Sequence, residues 1–190
     1  IGELVFTVKT VEIATGKVNR ITTAKIENGA MYRERQPVFS PDGKSVAYQF
    51  QLKNVGYGSD VYFTSINGGA DKNLTAAFDR CFFRAEWSAD SKAVLVAAND
   101  LNTVSLWMQP LDGTAKKINL NNLCIAGSYW YQFNIGKNNS IALIASSPQS
   151  PQELYYLTNA ESSPKKLSNF NEEVKNISLG KQETFSWKSD

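Results

Sequence analysis

Residues 37–50 read PVFSPDGKSVAYQF. Ser40, Asp42, Gly43 and Lys44 form the polar mix that often accompanies chemistry, yet the segment also has the form of a hairpin. Phe39 ends one apolar run, and Val46, Tyr48 and Phe50 alternate along the next. Between them Pro41 presets φ for a turn, Asp42 can bond back to the backbone, and Gly43 accepts the positive φ that closes it. One copy leaves site and scaffold both open; further copies separate them.

AEWSADSKAVLVAA at 85–98 is a second copy, placing Trp87 over Phe39, Ser88 over Ser40, Asp90 over Asp42 and Lys92 over Lys44. YQFNIGKNNSIALIA at 131–145 is a weaker third, with Phe133 in the aromatic slot and one extra turn residue before Ile141. The aromatic anchors then lie 48 and 46 residues apart. A catalytic loop has no reason to recur at a fixed period, whereas a structural unit does. The stretch is architecture.

Each unit has a matching second half. GADKNLT at 69–75 pairs with GTAKKIN at 113–119, SPKKLS at 163–168 and, upstream, GKVNRIT at 16–22. One aliphatic residue in each (Ile21, Leu74, Ile118 or Leu167) is followed by Thr, Asn or Ser. Alternating runs such as DVYFTSI at 60–66 and VSLWM at 104–108 precede these segments. Alternation at period two, rich in β-branched and aromatic residues and bounded by turn formers, predicts strands. The unit is then four short antiparallel strands, the size of a propeller blade. The expected fold is all-β: a partial β-propeller of about three complete four-stranded blades with partial elements at both ends. The expected blade units are 1–34 (partial), 35–76, 83–120 and 129–169 within one domain, with 170–190 as a connection onward.

Composition agrees. The chain of 190 residues is 42% hydrophobic, enough for a substantial core. Its net charge of +2 comes from 20 basic and 18 acidic residues without long blocks of either sign, which gives no electrostatic case for nucleic acid or an anionic membrane. No apolar run approaches the roughly 18 residues that span a bilayer. Ile1 is not an initiator methionine, so the expectation is of a missing N-terminus, with periplasm and cytoplasm both open as compartments.

The chemistry is mostly excluded. The chain has no histidine, so neither a Ser-His-Asp nor a Cys-His relay can be assembled from it. Two cysteines 43 residues apart make no CxxC zinc motif. Cys81 and Cys124 fall at near-equivalent points of adjacent units, and two separate small buried thiols are expected rather than a disulfide. GYGSD at 56–60 has the wrong order for a nucleophile elbow and reads as a hairpin turn. No catalytic, cofactor-binding or metal-binding residue is assigned, and no cofactor is expected.

Four features carry a weaker functional reading. Glu172 and Glu173 could hold a substrate ammonium, but a solvated turn or helix start is the expected role. Arg80 and Arg84 flank Cys81, Phe82 and Phe83, where a core aromatic pair with surface arginines is preferred over the lining of a central opening. SYWY at 128–131 is read as an incoming strand rather than a ligand shelf. Asn73-Leu74-Thr75, Asn138-Asn139-Ser140 and Asn176-Ile177-Ser178 are glycan sequons, relevant only in a glycosylating host.

FSPDGKSVAY and WSADSKAVLV resemble the PD-type propeller repeats. The order NLT, FDR, AEWSADSK, LWMQPLDG, then SPQSPQELYYL at 147–157, KLSNFNEE and ETFSWKSD, is similar to the acylaminoacyl-peptidase/dipeptidyl-peptidase branch of the prolyl oligopeptidase family. The match extends over 37–190 and is weak over 1–36. It departs at Ala89 and Ser91, where Pro and Gly would stand, and in the third hairpin, which lacks Ser-Pro-Asp. The resemblance implies a non-catalytic propeller segment of a serine peptidase for short peptides, limiting substrate access and contacting a C-terminal α/β-hydrolase domain. That domain would carry the nucleophile, acid and histidine, so no catalytic residue carries over. The alternative is a protein-interaction propeller like those of the periplasmic Tol system. An incomplete propeller is also expected to self-associate through its open blade faces.

Overall fold

The computed structural model describes residues 7–22, 34–51, 59–127 and 131–188. Fifteen strands are present among them: β1 (Lys9–Val11), β2 (Val18–Arg20), β3 (Glu34–Phe39), β4 (Ser45–Gln51), β5 (Ser59–Ser65), β6 (Lys72–Asn73), β7 (Phe82–Trp87), β8 (Ala93–Asp100), β9 (Thr103–Pro110), β10 (Lys116–Lys117), β11 (Cys124–Ile125), β12 (Phe133–Ile135), β13 (Ile141–Ser147), β14 (Ser150–Leu157) and β15 (Lys165–Lys166). A short 3-10 helix follows at Glu172–Asn176. The strands form antiparallel meanders β3-β4-β5-β6 and β7-β8-β9-β10, and a third in which β11 and β12 together make the first strand beside β13-β14-β15. The β1-β2 pair stands apart as a two-stranded sheet. The fold is the all-β partial propeller expected.

The opening hairpin is held as its residue types require. The Ser40 hydroxyl donates to Asp42 Oδ1 (2.6 Å) and receives the Ser45 N–H (2.9 Å), while Asp42 Oδ1 also receives the Lys44 N–H (3.0 Å). Gly43 closes the turn at φ 70°. Ser88, Asp90, Lys92 and Ala93 reproduce these bonds in the second copy, with Ser91 at φ 61° in place of the glycine. Desolvation is slight at Asp42 and Asp90, so the serine and backbone donors hold both carboxyls below the usual range.

The third copy corrects the expected register. Phe39 pairs with Val46 and Trp87 with Val94, but Ile141 pairs with Ile135. Ile135, not Phe133, occupies the anchor slot, so the third turn is one residue shorter rather than longer and the period is 48 at both steps. Phe133 is buried two residues earlier on the same strand, at the position of Ala85. The motif's missing letters have a structural use. Asn139, at φ 62°, places its Oδ1 where it accepts the Ala89 N–H of the preceding hairpin (2.7 Å). Ser91 Oγ likewise receives the Asp42 N–H (3.1 Å). The residue that replaces glycine at the strained turn position ties each blade to the one before it.

The core lies between sheets. One cluster joins the β7-β10 sheet to the β11-β15 sheet around Leu106, Ile118, Tyr131, Phe133 and Leu143. A second joins β3-β6 to β7-β10 around Val61, Leu74, Phe82 and Trp87. A third packs Val8 and Ile21, flanking the β1-β2 pair, against Val46 and Tyr48. Trp87 is 4% exposed, and its Nε1–H donates to the Val38 carbonyl (2.9 Å).

Two of the repeat's apolar positions are open. Phe39 is 58% exposed: its side of β3 faces the preceding unit, of which only two outer strands are described. Leu167 is 53% exposed although Ile21, Leu74 and Ile118 are buried, because each of those three lies under the following sheet and, among the described residues, no sheet follows β15.

Candidate interaction surfaces

Successive antiparallel strands put alternate turns at opposite ends of the sheets. The Ser40 and Ser88 hairpins lie at one end; the β8-β9 and β13-β14 turns and the crossings between sheets lie at the other.

A carboxylate recurs inside the blades. The register places Asp60, Ser105 and Glu153 at one repeat position on β5, β9 and β14, beside Tyr62, Trp107 and Tyr155. Asp60 accepts from the Thr75 hydroxyl (2.9 Å) and the Asn73 amide (2.7 Å). Glu153 accepts from the Ser168 hydroxyl, the Phe170 and Asn171 N–H groups (3.1 Å each) and Lys166. The Ser168 bond and the backbone donors hold its carboxyl down at about 2. In the middle blade Ser105 instead donates to Asp100 (3.1 Å). Thr22 and the Val8 N–H bond to Glu34 in the same manner. Where Thr or Ser follows the repeat aliphatic, at Thr22, Thr75 and Ser168, its hydroxyl is thus the donor that satisfies a buried acid; Asn119 in the middle blade is the exception. The sequence showed that donor, and aligning all three repeats would have shown its partner.

Those bonds also dispose of one sequon: Asn73 is engaged with Asp60 and Tyr62, and Thr75 is buried. Asn138 and Asn176 are exposed. Gly56, Gly58 and residues 128–130 lie outside the described residues; Ser59 and Asp60 begin β5, and Tyr131 is buried in the core.

At the crossing end, Arg80 (3.0 Å) and Lys117 (2.6 Å) both pair with Asp100. Lys117, then Arg80 and Ser105, lower the Asp100 pKa against a desolvation that raises it. Arg84 is more than a surface charge. It grips Glu86 through Nε and Nη2, reaches across to the Tyr131 carbonyl (3.0 Å) and Asn134, and lies 5.1 Å from the Phe133 ring. Neither Cys81 nor Cys124 is in a disulfide, and both are half-buried rather than fully buried. Burial, and then the two thiols nearby, push the Tyr131 hydroxyl up to about 12. A polar groove of about 390 Å³ lined by Ser105, Lys117, Asn119 and Asn122 adjoins this cluster. Glu172 and Glu173 are exposed on the 3-10 helix, the solvated helix start expected.

The second surface is the open side of the last blade. Tyr156, Thr158, Ser163, Lys165 and Leu167 line a mostly apolar groove of about 570 Å³. Beyond it the chain runs without regular secondary structure over 177–188, past the crossing end, where Asn102 donates to Thr184 (3.0 Å) and Gln149 to the Gly180 carbonyl (3.4 Å). Phe185 and Trp187 stand exposed on that segment. Among the described residues no group of three metal-ligating side chains gathers, and no helix is long and apolar enough to cross a membrane. The surfaces present one polar groove, one mostly apolar groove, exposed aromatics and fixed ion pairs.

No family model matches the chain. It is similar to dipeptidyl-peptidase 5 of Trichophyton schoenleinii, 28% identical over 99 residues, which is 50% of this chain and 14% of that protein. It is also similar to dipeptidyl-peptidase 5 of Porphyromonas gingivalis, 31% identical over 88 residues, 45% of this chain and 13% of the relative. The chain therefore spans about one seventh of the length of these relatives. In fold it is similar to TolB from Acinetobacter baumannii, with a TM-score of 0.58 and 20% identity over 85% of this chain and 37% of the other. The β-propeller domain of the Trilobed protease from Pyrococcus furiosus gives a TM-score of 0.59 and 18% identity over 82% and 42%. The resemblance read from the motif order, to the propeller segment of a prolyl oligopeptidase-family peptidase, is supported by these relatives.

Proposed function

We propose that this chain is a non-catalytic propeller segment of a serine peptidase that acts on short peptides, of the dipeptidyl- or acylaminoacyl-peptidase kind. In that role it limits which substrates reach the active site and contacts the α/β-hydrolase domain that performs the chemistry. The observation that carries this reading is the similarity to dipeptidyl-peptidase 5 across half of the chain. The order of motifs through Trp187 supports it. So does the exposure of Phe185 and Trp187, since large aromatics held in water gain by docking on a neighbouring domain. A second reading, a protein-interaction propeller with no enzymatic partner, is favoured by the likeness to TolB over most of the chain.

Amide hydrolysis at neutral pH needs an activated nucleophile or a metal-bound water. The purified 190-residue chain should therefore leave dipeptide and acyl-peptide chromogenic substrates at the uncatalysed background. The product of the complete gene should turn them over, and a serine-directed fluorophosphonate should abolish that turnover. Turnover by the chain itself, lost on mutating one of its own serines, would overturn the proposal. An inactive complete product would favour the interaction propeller.

A further inference from the structure

The middle blade keeps the donors that serve a carboxylate in its neighbours but not the acid itself. In the last blade Glu153 collects the Ser168 hydroxyl, the Phe170 and Asn171 N–H groups (3.1 Å each) and Lys166 (3.4 Å). In the β3-β6 blade Asp60 collects the Thr75 hydroxyl (2.9 Å) and the Asn73 amide (2.7 Å). The pairs Tyr155–Lys166, Tyr62–Asn73 and Trp107–Lys117 put Lys117 at the place of Lys166 and Asn73. Counted onward from the repeat aliphatic, Asn119 stands where Ser168 and Thr75 stand, and Asn122 where Asn171 stands. Lys117, Asn119 and Asn122 all line the polar groove of about 390 Å³. Ser105 lines it too, a short side chain at the position from which Glu153 and Asp60 carry their acids. This blade packs against a described sheet on each side, so its own fold bounds the groove.

Asp100 meets only part of the donor set. It takes Lys117 Nζ (2.6 Å), Arg80 (3.0 Å) and the Ser105 hydroxyl (3.1 Å), and two cations against one acid leave the cluster positive. An ammonium carries three donors, and the Lys117 side chain is 56% exposed, so it can serve a second acid from the open side. Asn119 receives the Asn121 N–H on its Oδ1 (2.9 Å), which leaves Nδ2 as the end that donates. Asn119 and Asn122 are both exposed.

We infer that this groove binds the carboxylate of an external ligand, a small acid or the C-terminus of a peptide, in the part that Glu153 plays in the last blade. Lys117, the Asn119 amide and the Asn122 N–H donate to its oxygens, and bonds that join a carboxylate to a cation are among the strong ones. An acid borne by residue 105 itself would face Asp100. A ligand enters from the open side and meets the exposed donors instead. This goes beyond the proposed function and is tested without any activity measurement.

The experiment is amide correlation NMR of the isotope-labelled chain at constant ionic strength. The probes are acetate, N-acetyl-trialanine, the C-terminal amide of that peptide, and chloride as a plain anion. Acetate or the free-acid peptide should move the Asn119 and Asn122 amide signals saturably, while the peptide amide and chloride leave them in place. Acetate binding as tightly as the peptide identifies a small acid as sufficient, and tighter binding of the peptide identifies a C-terminus; both uphold the inference. Lys117→Met and Asn119→Asp, at exposed positions, should each weaken the carboxylate roughly tenfold or more, as for the loss of one hydrogen bond to a charged group. Asn119→Asp keeps the Oδ1 that receives the Asn121 N–H, and far-UV circular dichroism checks that both variants keep their strands. No saturable shift with either carboxylate, equal shifts with the amide or chloride, or full affinity retained by either variant would each overturn the inference.

Discussion

Replacing Trp87 by alanine should be among the most damaging single changes in this protein, and replacing Phe39 among the mildest, although the two occupy the same letter of the repeat. Trp87 is 4% exposed, stands edge-on to Phe63 (6.4 Å, 86°) and donates its Nε1–H to the Val38 carbonyl. Truncating such an aromatic costs about 3–5 kcal/mol, through lost burial and the cavity left behind. The orphaned carbonyl adds to this, and Trp87→Phe, which loses that bond together with part of the ring, should cost about 1–3 kcal/mol. Phe39 is 58% exposed, so Phe39→Ala should stay near the surface norm of about 0.5 kcal/mol.

Urea unfolding followed by far-UV circular dichroism measures all three variants against the parent, without relying on the tryptophan being removed. The ranking Trp87→Ala, then Trp87→Phe, then Phe39→Ala is the result expected. A Trp87→Ala loss within about 0.5 kcal/mol would refute the packing of β7 against the preceding blade. A Phe39→Ala loss as large as that of Trp87→Ala would show that something covers Phe39 after all.

Asn139→Gly keeps the positive-φ turn but loses the bond to Ala89, so it should cost about 1 kcal/mol in the same assay. Asn139→Ala should cost about 1–2 kcal/mol more, since alanine resists that backbone region. Glu153 contributes to acid stability, beside Asp42, Asp90 and Asp100. Its folded pKa of about 2 lies below the ordinary 4.5, so its contribution is complete above pH 4.5. As pH falls below that value the unfolded chain takes up the proton first, and the contribution is lost by about pH 2. Glu153→Gln should therefore be less stable at neutral pH and lose less on acidification through this window. An unchanged slope of stability against pH would refute the assignment.

The fold was legible because its signal repeats. One SPDGK turn is ambiguous, whereas a turn recurring with alternating strands and a closing aliphatic has one economical explanation. What the sequence left unread depends on neighbours rather than on residues. Phe39 and Trp87 are equally good anchors, and Leu167 is as apolar as Leu74. Whether each is buried is decided by the next sheet, which no local pattern encodes. The third hairpin was misregistered for a related reason. Phe133 is the aromatic nearest the expected slot, but pairing is set by the ladder from Ile135 to Ile141.

The candidate surfaces were less legible than the fold because they are made by departures from the repeat. Ser91 and Asn139 look like lost glycines when read against the hairpin consensus, and the cost of positive φ at those positions counts against them. Glycine, however, has no side chain to reach the preceding blade. The strain at each turn is offset by an interblade hydrogen bond that the consensus residue cannot make. The same logic applies to Ser105, which stands where its neighbouring blades keep an acid. A carboxylate there would face Asp100, and the hydroxyl donates to it instead. That leaves Asp100 positioned to hold Arg80 and Lys117 at the crossing end, as the centre of a rim ion cluster. Positions that obey the repeat build the blades, and positions that break it connect them and furnish their surface.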